Sequence, residues 1–148
     1  LTSGSGLLYH TFDKYGPIIQ GLHTGRRNGA LISIGQGKAL PYALFNLQER
    51  GKMIIENGIE VYEGMIVGIH SRNNDLVVNP LKGKQLTNVR ASGNDEAVTL
   101  TTPVQVTLEF ALEFINDDEL VEVTPKSLRI RKKFLKEHER KKAARAAS

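Results

Sequence analysis

From residue 26 to residue 79 the chain is never apolar for long: short aliphatic stretches are cut repeatedly by glycine, proline, asparagine or aspartate. Stretches that short cannot lay down the apolar stripe of a packed helix, but they suit strands of a few residues joined by tight turns. Residues 30–34 (Ala-Leu-Ile-Ser-Ile), closed by Gly35-Gln36-Gly37, read as one strand. Residues 39–45 read as a second, confined to a sheet edge because Pro41 has no N–H to give to a ladder. Residues 44–50 leave room for one or two helical turns capped by Gly51. The sharpest local signal is Glu56-Asn57-Gly58, set between the largely apolar runs 52–55 and 59–62. Both Asn and Gly accept positive φ, so this pair predicts a β-hairpin. Residues 65–70 then alternate Met65, Val67 and Ile69 with Ile66, Gly68 and His70, and Asn73-Asn74-Asp75 turns the chain into Leu76-Val77-Val78.

The punctuation stops at residue 79. Through residue 96 no apolar period is sustained; Pro80, Gly83 and Gly93 stand among Lys82, Lys84, Arg90 and small polar residues. A connection of that length is usually functional or unstructured, and this one is expected to be mobile without a partner. Periodicity returns with helical spacing at Leu108, Ala111, Leu112 and Ile115, with Phe110 and Phe114 widening the stripe. Thr107 stands where a cap is needed, and Glu109 lies near the positive end of the helix dipole. Residues 120–123 and 128–130, on either side of Thr124-Pro125-Lys126-Ser127, predict a second hairpin. Beyond Phe134 and Leu135 there is almost nothing to bury, so residues 136–148 form a basic tail, either helical or disordered. The fold class expected is α+β and β-rich: a compact, mostly antiparallel, barrel-like sheet with one main helix at about residues 107–115, a long mobile loop at about 80–96 and that tail.

A chain of 148 residues with 40% hydrophobic content closes one sizeable core. The main domain is expected to span residues 26–135. Residues 1–25 hold one strand-like run, Leu7-Leu8-Tyr9-His10-Thr11-Phe12, and then a connector. One strand is no domain, so it is expected to close a preceding one, with the natural chain continuing upstream of Leu1. Charge is distributed unevenly. From Lys126 onward ten basic residues face two glutamates, a net +8, while residues 1–125 carry ten basic and fourteen acidic residues, a net −4. A polyanion suits such an end; a solubilising tail is the alternative. Cysteine is absent, which removes disulfides, thiolate nucleophiles and Cys-type zinc sites and fits a cytoplasmic protein. No apolar run approaches the roughly 18 residues that span a bilayer.

Motifs for catalysis fail on spacing. Gly35-Gln36-Gly37-Lys38 lacks the earlier glycine and the following Ser or Thr of a phosphate loop, since Ile32 and Ala39 hold those positions; it reads as a turn. His70, Ser71 and Asp75 have the chemistry of a triad but lie too close along one strand and its turn to converge on one atom. The histidines His10, His23, His70 and His138 show no ligand spacing. Glu113, Asp117, Asp118 and Glu119 read as a solvated helix end. What remains is the loop, where Lys82, Lys84 and Arg90 accompany Asn88, Ser92 and Asn94, residue types that bond phosphate and ribose oxygens. With few aromatics interleaved, phosphate contact is favoured over base stacking.

Longer strings carry a family resemblance. Arg27-Asn28-Gly29, Gln36-Gly37-Lys38-Ala39, Glu60-Val61-Tyr62-Glu63-Gly64, Gly68-Ile69-His70-Ser71-Arg72, Arg90-Ala91-Ser92-Gly93 and Glu119-Leu120-Val121-Glu122-Val123-Thr124-Pro125 resemble the C-terminal domain of the BipA/TypA translational GTPases. Leu1-Thr2-Ser3-Gly4-Ser5-Gly6 with Phe12 and Tyr15 resembles the end of the fifth domain of elongation factor G-like GTPases. The resemblance implies a ribosome-binding module without a catalytic site, in which GTP and Mg²⁺ belong to an upstream domain and no cofactor, metal or small-molecule substrate to this segment. The partners it implies are the ribosome, rRNA and the A-site tRNA acceptor arm, with no membrane, in a setting of stress adaptation and large-subunit assembly. Residues 81–95 correspond to a loop reaching toward the peptidyl-transferase region. The RNA-contact residues expected are Lys82, Lys84, Asn88, Arg90 and Ser92, joined by Arg129, Arg131, Lys132 and Lys133 of the basic end. The competing expectation is a protein-interaction module whose tail only confers solubility.

Overall fold

The computed structural model describes residues 26–83 and 99–148. Its elements are β1 (Ala30–Ser33), β2 (Gly37–Lys38), α1 (Pro41–Leu47), β3 (Gly51–Met53), β4 (Glu60–Val61), β5 (Ile66–His70), β6 (Leu76–Val78), α2 (Leu108–Phe114), β7 (Glu119–Val123), β8 (Leu128–Lys132) and α3 (Glu137–Ala147). The class is α+β and rich in strands, as expected, but no barrel closes among the described residues. A four-stranded sheet of order β3-β5-β1-β6 stays open, accompanied by two-stranded ribbons β2-β4 and β7-β8. Only β1 and β6 run parallel. That pairing follows from the turn after β5, which carries the chain over the end of β1 to its other edge. Gly29 permits the crossing, because a Cβ there would overlap the Asn74 carbonyl.

All four residues of β1 are buried, because both faces of the sheet are covered. Leu31, Met53, Val67 and Val78 pack toward Ala39, Leu44, Ile55, Val61 and Met65 on the α1 side. Ala30, Ile32 and Ile66 face Ala111, Phe114 and Ile130 on the side of α2 and the β7-β8 hairpin. The period-2 side-chain alternation thus feeds two apolar layers rather than one apolar and one wet face.

Three local expectations are corrected. Residues 41–47 form a helix and not an edge strand, because Pro41 sits at its first turn, where the missing N–H costs nothing. The Asn57-Gly58 turn is present, with Gly58 at φ 76, yet its flanks do not pair with each other. β3 joins β5 and β4 joins β2, so tertiary pairing overrides the hairpin. In α2, Thr107 does cap, accepting from the Phe110 N–H at 3.2 Å, but the inward stripe is Phe110, Ala111, Phe114 and Ile115, and Leu108 and Leu112 face outward. The hairpin expected around residues 124–127 is found, with Val121 opposite Ile130. The tail is helical over α3, which buries none of its residues.

Candidate nucleic-acid interface

The cations of the basic end differ sharply in what they can reach. On β8, Ile130 and Lys132 share a face, and Ile130 belongs to the core, so Lys132 turns inward with 2% of its surface exposed. Its Nζ lies 2.5 Å from Asp75 Oδ2, 2.8 Å from Asp118 Oδ2 and 2.8 Å from Glu119 Oε1. Glu119 also receives Arg26, at 2.7 and 2.9 Å, and the Arg26 guanidinium lies 4.1 Å from the Phe114 ring centroid. This cluster binds the start of the domain, the turn after β5 and the β7-β8 hairpin into one body. It answers the expectation for Lys132, which is a structural cation and not one presented to RNA.

Arg131 is half-buried and pairs through Nε with Glu122 at 2.6 Å. Glu122 accepts the Tyr62 hydroxyl proton at 2.6 Å as well. Burial and then that hydrogen bond and carboxylate charge push the Tyr62 pKa far above its ordinary value, so the phenol stays neutral. Arg129, also half-buried, donates from Nε to Ser127 Oγ at 3.3 Å. It borders a cavity of about 450 Å³ with Gln36, Ile54, Glu60, Tyr62 and Leu128. Lys133 is exposed, its backbone N–H held by the Asp118 carbonyl at 2.8 Å.

Lys82 is exposed and lies past the end of β6, the sheet's edge strand, following Pro80, whose carbonyl accepts from the Leu40 N–H at 2.9 Å. Lys84, Asn88, Arg90 and Ser92 lie outside the described residues. Of the described residues expected at the interface, Arg129, Arg131 and Lys132 share β8, Lys133 follows it and Lys82 follows β6, and of these Lys82 and Lys133 are the exposed ones. The buried cluster was missed by sequence reasoning, although the apolar Ile130 two residues before Lys132 marks the inward face of that strand.

The possible catalytic residues are engaged structurally. His70 is buried, and its Nδ1 contacts the Asn74 carbonyl at 2.5 Å. Asp75 accepts from the Ala30 N–H at 2.8 Å besides pairing with Lys132. The carboxylate is thus directed at β1 and β8, and the imidazole at its own turn. No group of three His, Cys, Asp or Glu able to hold a metal occurs among the described residues, and no helix among them is long and apolar enough to cross a membrane.

Residues 28–137 match the family model of the TypA/BipA C-terminal domain. The chain is 63% identical over 148 residues to the large ribosomal subunit assembly factor BipA of Haemophilus influenzae, covering 100% of this chain and 24% of that protein. To the protein of the same name in Escherichia coli strain K12 it is 62% identical over 146 residues, 99% of this chain and 24% of that one. To that of Buchnera aphidicola it is 62% identical over 141 residues, 95% and 23%. The chain therefore spans about a quarter of the length of these relatives. With most of its residues matching one domain model and its whole length similar to proteins of one name, the chain belongs to the TypA/BipA family and carries its C-terminal domain.

Proposed function

We propose that this domain is the ribosome-docking module of a translational GTPase that acts in large-subunit assembly and stress adaptation in the cytoplasm. In this reading the β-rich body is a mount. Residues 81–95 lie along rRNA and the A-site tRNA acceptor arm, through Lys82, Lys84, Asn88, Arg90 and Ser92, with Lys133 and Arg129 assisting from the basic end. GTP and Mg²⁺ are held by another domain, which this one positions on the ribosome. The relatives' description as large ribosomal subunit assembly factors supports the partner. The observation that carries the reading is the separation of charge. Asp75, Asp118, Glu119 and Glu122 are paired with Arg26, Arg131 and Lys132, Glu119 buried and the other three at least partly exposed, whereas Lys82 and Lys133 stand at the surface, where a phosphate backbone is the natural counterion.

The test uses the intact protein with Lys82→Ala, Lys84→Ala and Arg90→Ala combined. Ribosome binding should weaken, and the slope of log affinity against log salt should flatten by about 2 to 3, because every phosphate that is no longer neutralised takes roughly 0.7 to 0.9 off that slope. Unchanged binding would remove the loop from the interface. A protein partner is the second reading, favoured by Leu108 and Leu112, one helical turn apart and 45% and 59% exposed on the outer side of α2. Filter binding to rRNA at two salt concentrations separates the two, since only phosphate contact gives a steep slope.

A further inference from the structure

Three of the four cations of α3, Lys141, Lys142 and Arg145, lie on one side of it. At about 100° per residue, His138, Lys141, Lys142 and Arg145 fall within an arc of about 100°. Ala143, Ala147 and Arg140 occupy the opposite side, and Glu137 and Glu139 flank the stripe. All four residues of the stripe are exposed, and the helix as a whole buries nothing. Its base, however, is fixed to the body. The Glu137 N–H donates to Glu63 Oε1 at 3.2 Å, and the Arg140 guanidinium donates to the carbonyls of Phe134, at 3.0 Å, and Leu135. Gly64, at φ 87, lies directly under Leu135, where a Cβ would come within 2.7 Å of its Cα. Arg140 thus anchors the helix, and the other cations are turned to solvent. Lys141 meets Glu137 at 2.7 Å, an exposed pair that water screens and a phosphate can displace.

We propose that α3 is a phosphate-tracking arm for the backbone of duplex RNA, a contact separate from the loop at residues 81–95. It rests on the RNA reading above and adds a second site to it. From Lys141 to Arg145 the helix rises about 6 Å, so its cations meet neighbouring phosphates along a strand and not a single anion. The helix carries no Phe, Tyr or Trp and no Asn or Gln, so contact with the backbone outweighs reading of the bases. Its other side is alanine, without the Trp, Phe or Leu that a membrane-surface helix buries or the bulky anchor of a protein interface. Because the base of the helix is already tied down, binding sacrifices less conformational freedom than it would for a floppy tail.

The test measures binding of the full chain to a fluorescently labelled, mixed-sequence RNA duplex over a salt series. Three variants are compared with the parent. The first combines Lys141→Gln, Lys142→Gln and Arg145→Gln. The second combines Lys141→Arg, Lys142→Arg and Arg145→Lys. The third is the loop variant described above. Glutamine is a good helix former, and far-UV circular dichroism checks that α3 persists. The glutamine variant should bind roughly tenfold or more weakly at low salt, with a slope flatter by about 2 to 3, while the charge-preserving variant matches the parent. If the glutamine variant binds like the parent and the loop variant is weakened, the α3 site is wrong and the RNA reading stands. If the parent binds no duplex at any salt, both fall. Loss of binding to phosphatidylserine vesicles with RNA affinity intact would also overturn the proposal, in favour of a membrane.

Discussion

At the scale of single residues, Lys132 bears more of the structure than any of its basic neighbours. An ammonium has three protons to donate, and here three carboxylates receive them, so a charge that would be expensive to bury is fully matched. Lys132→Ala leaves the buried Glu119 to Arg26 and the Asn116 N–H, takes the ammonium from Asp75 and Asp118 as well, and should cost about 3 to 5 kcal/mol in urea unfolding. Lys133→Ala, one residue on and exposed, should cost less than about 0.5 kcal/mol. The same cluster sets the response to pH. Burial alone would raise the Asp75 pKa, but hydrogen bonds from Lys132 and the Ala30 N–H, with the charges of Lys132 and Arg26, hold it below the usual carboxylate value. A depressed pKa means that its contribution is complete above the unfolded value of about 3.9 and is lost as pH falls through the folded one. For Lys132, burial lowers the pKa, but hydrogen bonds to Asp118, Asp75 and Glu119 outweigh it and raise the value. Its contribution is complete below about pH 10.4 and is lost as pH rises through the raised value. Melting temperature should therefore be level around neutrality and fall below about pH 4 and above about pH 10.4. Lys132→Met should flatten the alkaline fall; an unaltered profile would show that another group controls it.

At the scale of elements, helix α2 shows how propensity and packing divide the work. Thr107 starts it by accepting the Phe110 N–H, and that was legible from residue type and position. Which side turns inward was not. The aliphatic stripe suggested Leu108 and Leu112, but the sheet receives Ala111 and Phe114, with Phe110 stacked on Phe114 at 5.6 Å. An apolar stripe wide enough to include two phenylalanines has more than one possible centre, and Ala111 wins because its small side chain allows the close approach. Phe114→Ala should then cost about 3 to 5 kcal/mol, and Leu112→Gln less than about 0.5, both read from denaturation midpoints. The hairpins teach the complementary lesson. β7 and β8 pair across a four-residue turn as their alternation predicts. The flanks of Asn57-Gly58 diverge, because Met53 and Val61 are drawn to different sheets of the same core.

At the scale of the whole molecule, a body closed by two apolar layers and one buried ion cluster carries an appended helix that adds almost nothing to the core. Truncation after residue 135 should accordingly shift the melting temperature by no more than a few degrees, because α3 buries no side chain. A large drop would mean that the anchoring of Arg140 and Glu63 supports the fold and not only the helix.

Composition, turn chemistry and periodicity alone determined the strand-rich α+β class, the cap of α2, the second hairpin and the basic character of the C-terminal end, because these depend on neighbours along the chain. Long specific strings added the family. Tertiary structure alone decided which strands pair, which side of α2 is buried and which cations remain available. In Arg129-Ile130-Arg131-Lys132 four adjacent residues offer three similar charges, and only the position of the core behind Ile130 separates a buried structural lysine from those that can reach a ligand. The physical reason is that burial is set by contacts between residues distant in sequence, such as Lys132 with Asp75, which no local pattern records.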